Sequence, residues 1–230
     1  MLVLFDIDGT LITTKRAGLH AMSQAVAEVC GAEPDVSDVS FAGRLDPLIL
    51  AEIITSAGVE VTSTAMEAAR ARYRECLAER MAEPGIGRVL PGVDALVARL
   101  SQIEDCAMGL VTGNFEETGR LKLEACGFDT SSMLFNGFGN ECPEAPPHRR
   151  QLPRVAMERH TRHRGEALPA ERVVVIGDTP ADVDCAHHNG CRALAVATGM
   201  HDVGTLEETG AELTVPDLSD TEAILAWMIG

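Results

Sequence analysis

Apolar residues run unbroken from Leu2 to Phe5 and stop at Asp6. A short apolar run bounded by polar residues and a glycine reads as a strand buried on both faces, as in a parallel sheet. Over residues 15–30 the spacing changes. Leu19, Met22, Val26 and Val29 recur at helical intervals, and Gly31 stands where helices commonly end. Two further helices are predicted over residues 48–56 and 65–81, the second rich in Ala, Glu and Arg. No strand is predicted between Leu11 and Gly87. The loop Glu83-Pro84-Gly85-Ile86-Gly87 has the composition of a hinge or boundary.

Beyond Arg88 the pattern alternates. Strands are predicted over residues 106–111, 172–176 and 192–197, with a short strand starting at Leu134 and Phe135. Helices are predicted over residues 92–100, 116–126, 150–163, 180–189 and 221–228. Repeated β-α units imply an α/β fold with a parallel sheet in three layers and right-handed crossovers. The chain therefore divides into an α/β core, residues 1–14 and 88–230, and a helical insertion, residues 15–87.

Composition narrows the function classes. The 230 residues suit one large domain or a core carrying an insertion, and an apolar share of 46% is enough for a packed core. No apolar run approaches the roughly 18 residues that span a bilayer. The chain opens on a strand and not on a basic segment followed by an apolar one, so no signal peptide is expected. Seven dispersed cysteines with no CxxC pair suit a reducing compartment, and a cytoplasmic location is expected. A net charge of −16 disfavours nucleic acid and anionic membranes as partners. Any anion site must then be made locally positive, and His148-Arg149-Arg150 is one place where that can happen. A small molecule is the expected partner, for a monomer or a homodimer.

Candidate chemistry gathers at the strand ends. Asp6 and Asp8 follow the first strand, Thr112 and Asn114 follow the second, and Asp178 follows a later one with Asp182 four residues on. Parallel strands present their ends along one rim, where open α/β sheets bind ligands. Two acids one residue apart repel unless one is protonated or a cation lies between them, and a hard divalent ion meets that need. The plainer readings stay open: a polar turn after the first strand, and Asp178 or Thr179 as a helix cap. Three polar strand ends in one chain are harder to ascribe to capping.

Asp6-Ile7-Asp8-Gly9-Thr10, Val111-Thr112-Gly113-Asn114 and Gly177-Asp178-Thr179-Pro180-Ala181-Asp182 together resemble, in order, the first, second and fourth motifs of the haloacid dehalogenase-like hydrolases. The chain is most similar to their phosphoglycolate phosphatase-like members. The resemblance implies a Rossmann-like three-layer core with a C1-type helical cap, here residues 15–87. It also implies a Mg²⁺-dependent phosphatase and not a dehalogenase, because the second acid, Asp8, is present. Asp6 is then the nucleophile and Asp8 the general acid and base. Mg²⁺ is held by Asp6, the backbone carbonyl of Asp8 and Asp178, with Asp182 as an outer or orienting ligand. Thr112 and Asn114 bond the phosphoryl group, with Thr10 and Gly113 beside it. The family's third-motif cation has no clear counterpart. Arg149 is favoured over Arg150 by its distance from the following helix, and Lys122 is the next candidate. Arg44 is a candidate for binding an acidic leaving group, against a plain surface pair with Asp46. A phosphosugar mutase of the same family is the alternative enzyme, and a non-catalytic phosphate-binding protein the alternative class.

Overall fold

The computed structural model describes residues 1–230. In chain order, β1 (Leu2–Phe5) and β2 (Ile12–Thr13) lead into three helices, α1 (Ala17–Cys30), α2 (Asp46–Ser56) and α3 (Ser63–Met81). Then follow β3 (Arg88–Val89), α4 (Val93–Leu100), β4 (Ala107–Thr112), α5 (Glu116–Ala125) and β5 (Gly137–Phe138). After a short helical turn at Arg149–Gln151 come α6 (Leu152–Arg164), β6 (Val173–Gly177), α7 (Pro180–His188) and β7 (Arg192–Val196). The chain closes with α8 (Val203–Glu207), β8 (Leu213–Val215) and α9 (Thr221–Ile229).

Six strands form one parallel sheet in the order β5-β4-β1-β6-β7-β8. β1 lies at its centre, with Phe5 opposite Leu110 on one side and Ile176 on the other. That register puts the ends of β1, β4 and β6 side by side. β1 alternates between two cores. Val3 and Phe5 pack with Leu96, Leu110 and Leu225, while Leu2 and Leu4 pack with Val111, Leu152 and Val183. Helices cover both faces, which makes three layers.

α1, α2 and α3 share a third core, built around Met22, Val26, Ile53, Tyr73 and Leu77. Its inner face on α1 differs from the predicted stripe. Gly18, Ala21 and Ala25 are buried beside Met22 and Val26, whereas Val29 is 39% exposed. Small residues let α1 lie close to α3, so the contact face is set by size as well as by apolarity. Phe115, just before α5, is buried in this core, with Arg70 of α3 over its ring and bonded to Glu117 at 2.6 Å. The helical unit thus rests on the N-terminus of α5.

Several local expectations are corrected. Lys15 and Arg16 have left-handed backbones, φ 49° and 62°, so α1 starts two residues later than predicted. A strand does occur between Leu11 and Gly87: β2 pairs antiparallel with β3, Ile12 opposite Val89, where the chain enters and leaves the helical unit. Two-residue strands paired across more than seventy positions leave no periodic trace. The edge strand is at Gly137–Phe138 and not at Leu134, which is exposed. α8 and β8 had no sequence signal. No helix is long and apolar enough to cross a membrane.

Candidate active site

β1 ends by donating the Asp6 amide to the Ile176 carbonyl at 2.9 Å, which fixes Asp6 at the rim between β4 and β6. Asp6 is 5% exposed, and Arg149 Nη2 lies 2.8 Å from its Oδ1. The same nitrogen donates to Asp182 Oδ1 at 2.6 Å. Arg149 is buried in the turn before α6, and its Nε has no hydrogen-bond partner. Arg150 points outward and pairs with Asp184. The structure therefore brings Arg149 to the carboxylates, and leaves Arg150 at the surface.

Asp178 follows β6, and Asp182 lies in the first turn of α7, where it accepts from the Thr179 amide and hydroxyl at 3.0 and 2.6 Å. This reciprocal cap satisfies helix N–H donors that would otherwise be unpaired. Asp182 is thus an orienting group for both Thr179 and Arg149. Thr10 donates to Asp178 Oδ1 at 3.3 Å. A side chain at Gly9, φ 84°, would come within 2.4 Å of Asp178 Oδ2, so glycine is required there for conformation and space.

Asp6, Asp178 and Asp182 have carboxylate oxygens within 4.8 Å of one another. Burial pushes Asp6 up to about 6 despite the opposing pull of Arg149. Burial, with Asp182 and Asp6 adding repulsion, pushes Asp178 up to about 8. One guanidinium does not neutralise three buried carboxylates. The donor set, all hard oxygens, fits a divalent cation, with Asp6 and Asp178 as the acids least served by protein donors.

Asp8 faces the other way. Its Oδ2 accepts from Lys122 Nζ at 2.7 Å and Asn114 Nδ2 at 2.9 Å, and its Oδ1 from the Thr14 hydroxyl at 3.3 Å. Burial opposes its charge, but Lys122, Asn114 and Thr14 outweigh that and hold Asp8 below the usual carboxylate range. Asn114 Nδ2 also donates to Thr112 Oγ1 at 2.8 Å. Both amide hydrogens are then committed, which differs from the expected direct bond between the Asn114 amide and a phosphoryl group. Thr112 Oγ1 accepts also from the Asn114 amide N–H, so its own hydrogen is free to donate into the cavity.

These groups line a cavity of about 300 Å³ between the sheet rim and the helical unit. Leu19, Met22, Phe41, Ile49 and Tyr73 form its apolar roof, with Lys15, Arg16 and Arg44 also lining it. The Arg44 side chain pairs with Glu52 at 2.6 Å and donates to the Ser40 carbonyl, not to Asp46. Asp46 is buried and accepts from the Phe115 amide at 3.1 Å. Gly113 is in contact with the helical unit. Its carbonyl accepts from the Asp46 amide at 2.7 Å, and a Cβ there would strike the Arg44 carbonyl. Two residues of the loop after β7 also reach the site. Thr198 donates to the Gly9 carbonyl at 2.5 Å, and Gly199 lies against Asp178. The rule that placed the other strand ends at the rim applies equally to β7, and would have found them.

Residues 3–196 match the family model for haloacid dehalogenase-like hydrolases. The phosphoglycolate phosphatase of Rhodospirillum rubrum is 27% identical over 206 residues, covering 86% of this chain and 79% of that protein. CbbY from Rhodobacter sphaeroides, solved in complex with phosphate, superimposes with a TM-score of 0.74 at 18% identity over 95% of both chains. A β-phosphoglucomutase from Clostridium difficile gives 0.72 at 16% identity, over 99% of this chain and 96% of that one. The chain belongs to the haloacid dehalogenase-like hydrolases.

Proposed function

We propose that this haloacid dehalogenase-like hydrolase is a Mg²⁺-dependent phosphomonoesterase that acts on a small phosphorylated metabolite, of the phosphoglycolate kind, through an aspartyl-phosphate on Asp6. The observation that carries this reading is the placement of Asp6 at the base of the cavity, between the Arg149 guanidinium and Asp178. The curated relatives named phosphoglycolate phosphatase support the substrate class. A cavity of about 300 Å³ has room for a small metabolite and for little more.

In this mechanism an Asp6 carboxylate oxygen attacks phosphorus and the P–O bond to the leaving alcohol breaks, while Asp8, ionised at rest, passes to the alcohol the proton carried in by the monoanionic phosphate ester. Asp8 then takes a proton from water as that water attacks phosphorus. The bond to Asp6 breaks, and phosphate leaves with the Asp6 carboxylate restored. Thr112 donates to a phosphoryl oxygen, and the unpartnered Nε of Arg149 adds positive charge beside it. Asp6, Asp178 and the Asp8 carbonyl would hold Mg²⁺, which when bound supplies charge neutralisation between carboxylate and phosphate. Residues 15–87 serve as the cap that covers the site and excludes water. Seven free cysteines support a cytoplasmic setting.

The test is phosphate release from a panel of small phosphate esters with and without Mg²⁺. Metal-dependent release, strongest on acidic metabolites, is expected. Interconversion of sugar phosphates without release would replace this reading with a mutase, and binding without turnover would replace it with a non-catalytic role.

A further inference from the structure

Lys122 is a buried cation at the junction of the core and the helical unit, and the reaction scheme above does not use it. It lies on α5, its side chain is 6% exposed, and its Nζ donates to Asp8 Oδ2 and to Asn114 Oδ1, both at 2.7 Å. A helix lysine far from a strand end would ordinarily extend into solvent. Here all three helices of the insertion enclose it. Gly18 of α1 leaves room for it, since a Cβ there would sit 3.2 Å from Nζ and 3.3 Å from the Tyr73 hydroxyl of α3. Asp46 of α2 lies near enough to favour its charge, and with Asp8 outweighs the effect of burial.

The hydrogen-bond geometry gives this ammonium one definite task. Because Asn114 Oδ1 accepts from Lys122, its Nδ2 must turn toward Asp8 and Thr112. Lys122 and Asn114 together hold Asp8 by Oδ2, leaving Oδ1 with only the Thr14 hydroxyl at 3.3 Å. We propose that Lys122 is a positioning residue that selects Oδ1 of Asp8 as the proton-transferring oxygen and sets its orientation against the leaving group. Lys122 touches no reacting atom and acts through Asp8 and Asn114. Gly18, Asp46 and Tyr73 of the helical unit surround Lys122, so the helical unit and Asp8 meet at one buried cation.

This inference rests on the phosphatase reading, and its test separates the two. An alkyl phosphate needs its leaving oxygen protonated, whereas p-nitrophenyl phosphate has a leaving group stable as an anion. We expect Lys122→Met to lower kcat/KM on an alkyl phosphate by about 100-fold or more, and on p-nitrophenyl phosphate by less than about tenfold, in keeping with the usual contribution of general acid catalysis. The ratio of the two values does not depend on how much of the variant is folded. Gly18→Val, which crowds the ammonium without removing it, should shift the same ratio in the same direction. In an Asp8→Asn background, Lys122→Met should have no further effect on hydrolysis of the aryl ester, because both changes act through one group. Equal losses on both esters, an unchanged ratio, or full additivity with Asp8→Asn would overturn the positioning role. Wild-type protein that releases phosphate from neither ester would instead overturn the phosphatase reading.

Discussion

Arg149 Nη2 bridges two carboxylates, 2.8 Å from Asp6 Oδ1 and 2.6 Å from Asp182 Oδ1, while the adjacent Arg150 pairs with Asp184 at the surface. One residue, about a third of a turn in this short 3-10 helix, separates an arginine that neutralises the nucleophile from one whose pair is solvated. Arg149→Ala leaves Asp6 and Asp182 buried without their cation, and is expected to lower phosphatase kcat/KM by about a thousandfold or more. Arg150→Ala is expected to change it by less than about threefold, since exposed pairs contribute little. Steady-state kinetics on the two variants checks both.

The carboxylate cluster predicts a pH-dependent response to metal. Burial, with repulsion from Asp182 and Asp6, raises Asp178 to about 8, and burial raises Asp6 to about 6. A carboxyl whose folded pKa lies above its unfolded value favours the fold while protonated. That contribution is complete below about pH 4 and is lost as pH rises through the folded values. The metal-free protein should therefore lose stability toward about pH 8, where a divalent cation can replace the lost protons. The gain in Tm on adding Mg²⁺ is expected to be larger near pH 8 than near about pH 5, measured by thermal unfolding at both. A gain independent of pH would argue against these carboxylates as the metal site.

Asp178→Asn should weaken the response to metal more than it weakens the fold, because one anionic oxygen ligand becomes neutral while the Thr10 contact can persist. A Mg²⁺ titration of the rate should shift its midpoint to higher concentration, by about tenfold or more.

Asp46 is a structural prediction. Its Oδ2 accepts from the buried Phe115 amide at 3.1 Å and from the Thr118 hydroxyl at 3.4 Å. Asp46→Asn keeps an acceptor there and should alter stability by less than about 1 kcal/mol. Asp46→Ala strands a buried N–H and should destabilise by about 1–3 kcal/mol. Urea unfolding of the two variants distinguishes these outcomes.

Much of this site was legible in the sequence because it is local. Leu2 to Phe5 is apolar and then stops at an acid, and Val173 to Ile176 runs through Gly177 to Asp178, so the strands and the acids at their ends are read together. Gly9 and Pro180 mark the turns that follow. What stayed hidden depends on contacts between distant segments. β2 and β3 are two residues each and exist only by pairing with one another. The inner face of α1 is set by Gly18, Ala21 and Ala25, whose role is small size, and hydrophobic periodicity gives them little weight. Lys122 is reached from the sequence only as a substitute for the third-motif cation, and its place beside Asp8 leaves no local trace. Its burial follows from Gly18, Tyr73 and Asp46, more than forty residues away in every case. The loop after β7 was missed for a different reason, since Thr198 and Gly199 carry no charge to draw attention.

The most direct test of the phosphatase account is to look for the covalent intermediate. Wild-type protein mixed with a phosphate ester and Mg²⁺, quenched in acid within a turnover and mapped by mass spectrometry, should carry a phosphoryl group on the peptide containing Asp6. The adduct should be absent in Asp6→Asn, which should unfold like the wild type but lack turnover. Rapid hydrolysis with no phosphoryl group on that peptide, or an adduct that persists in Asp6→Asn, would contradict the account.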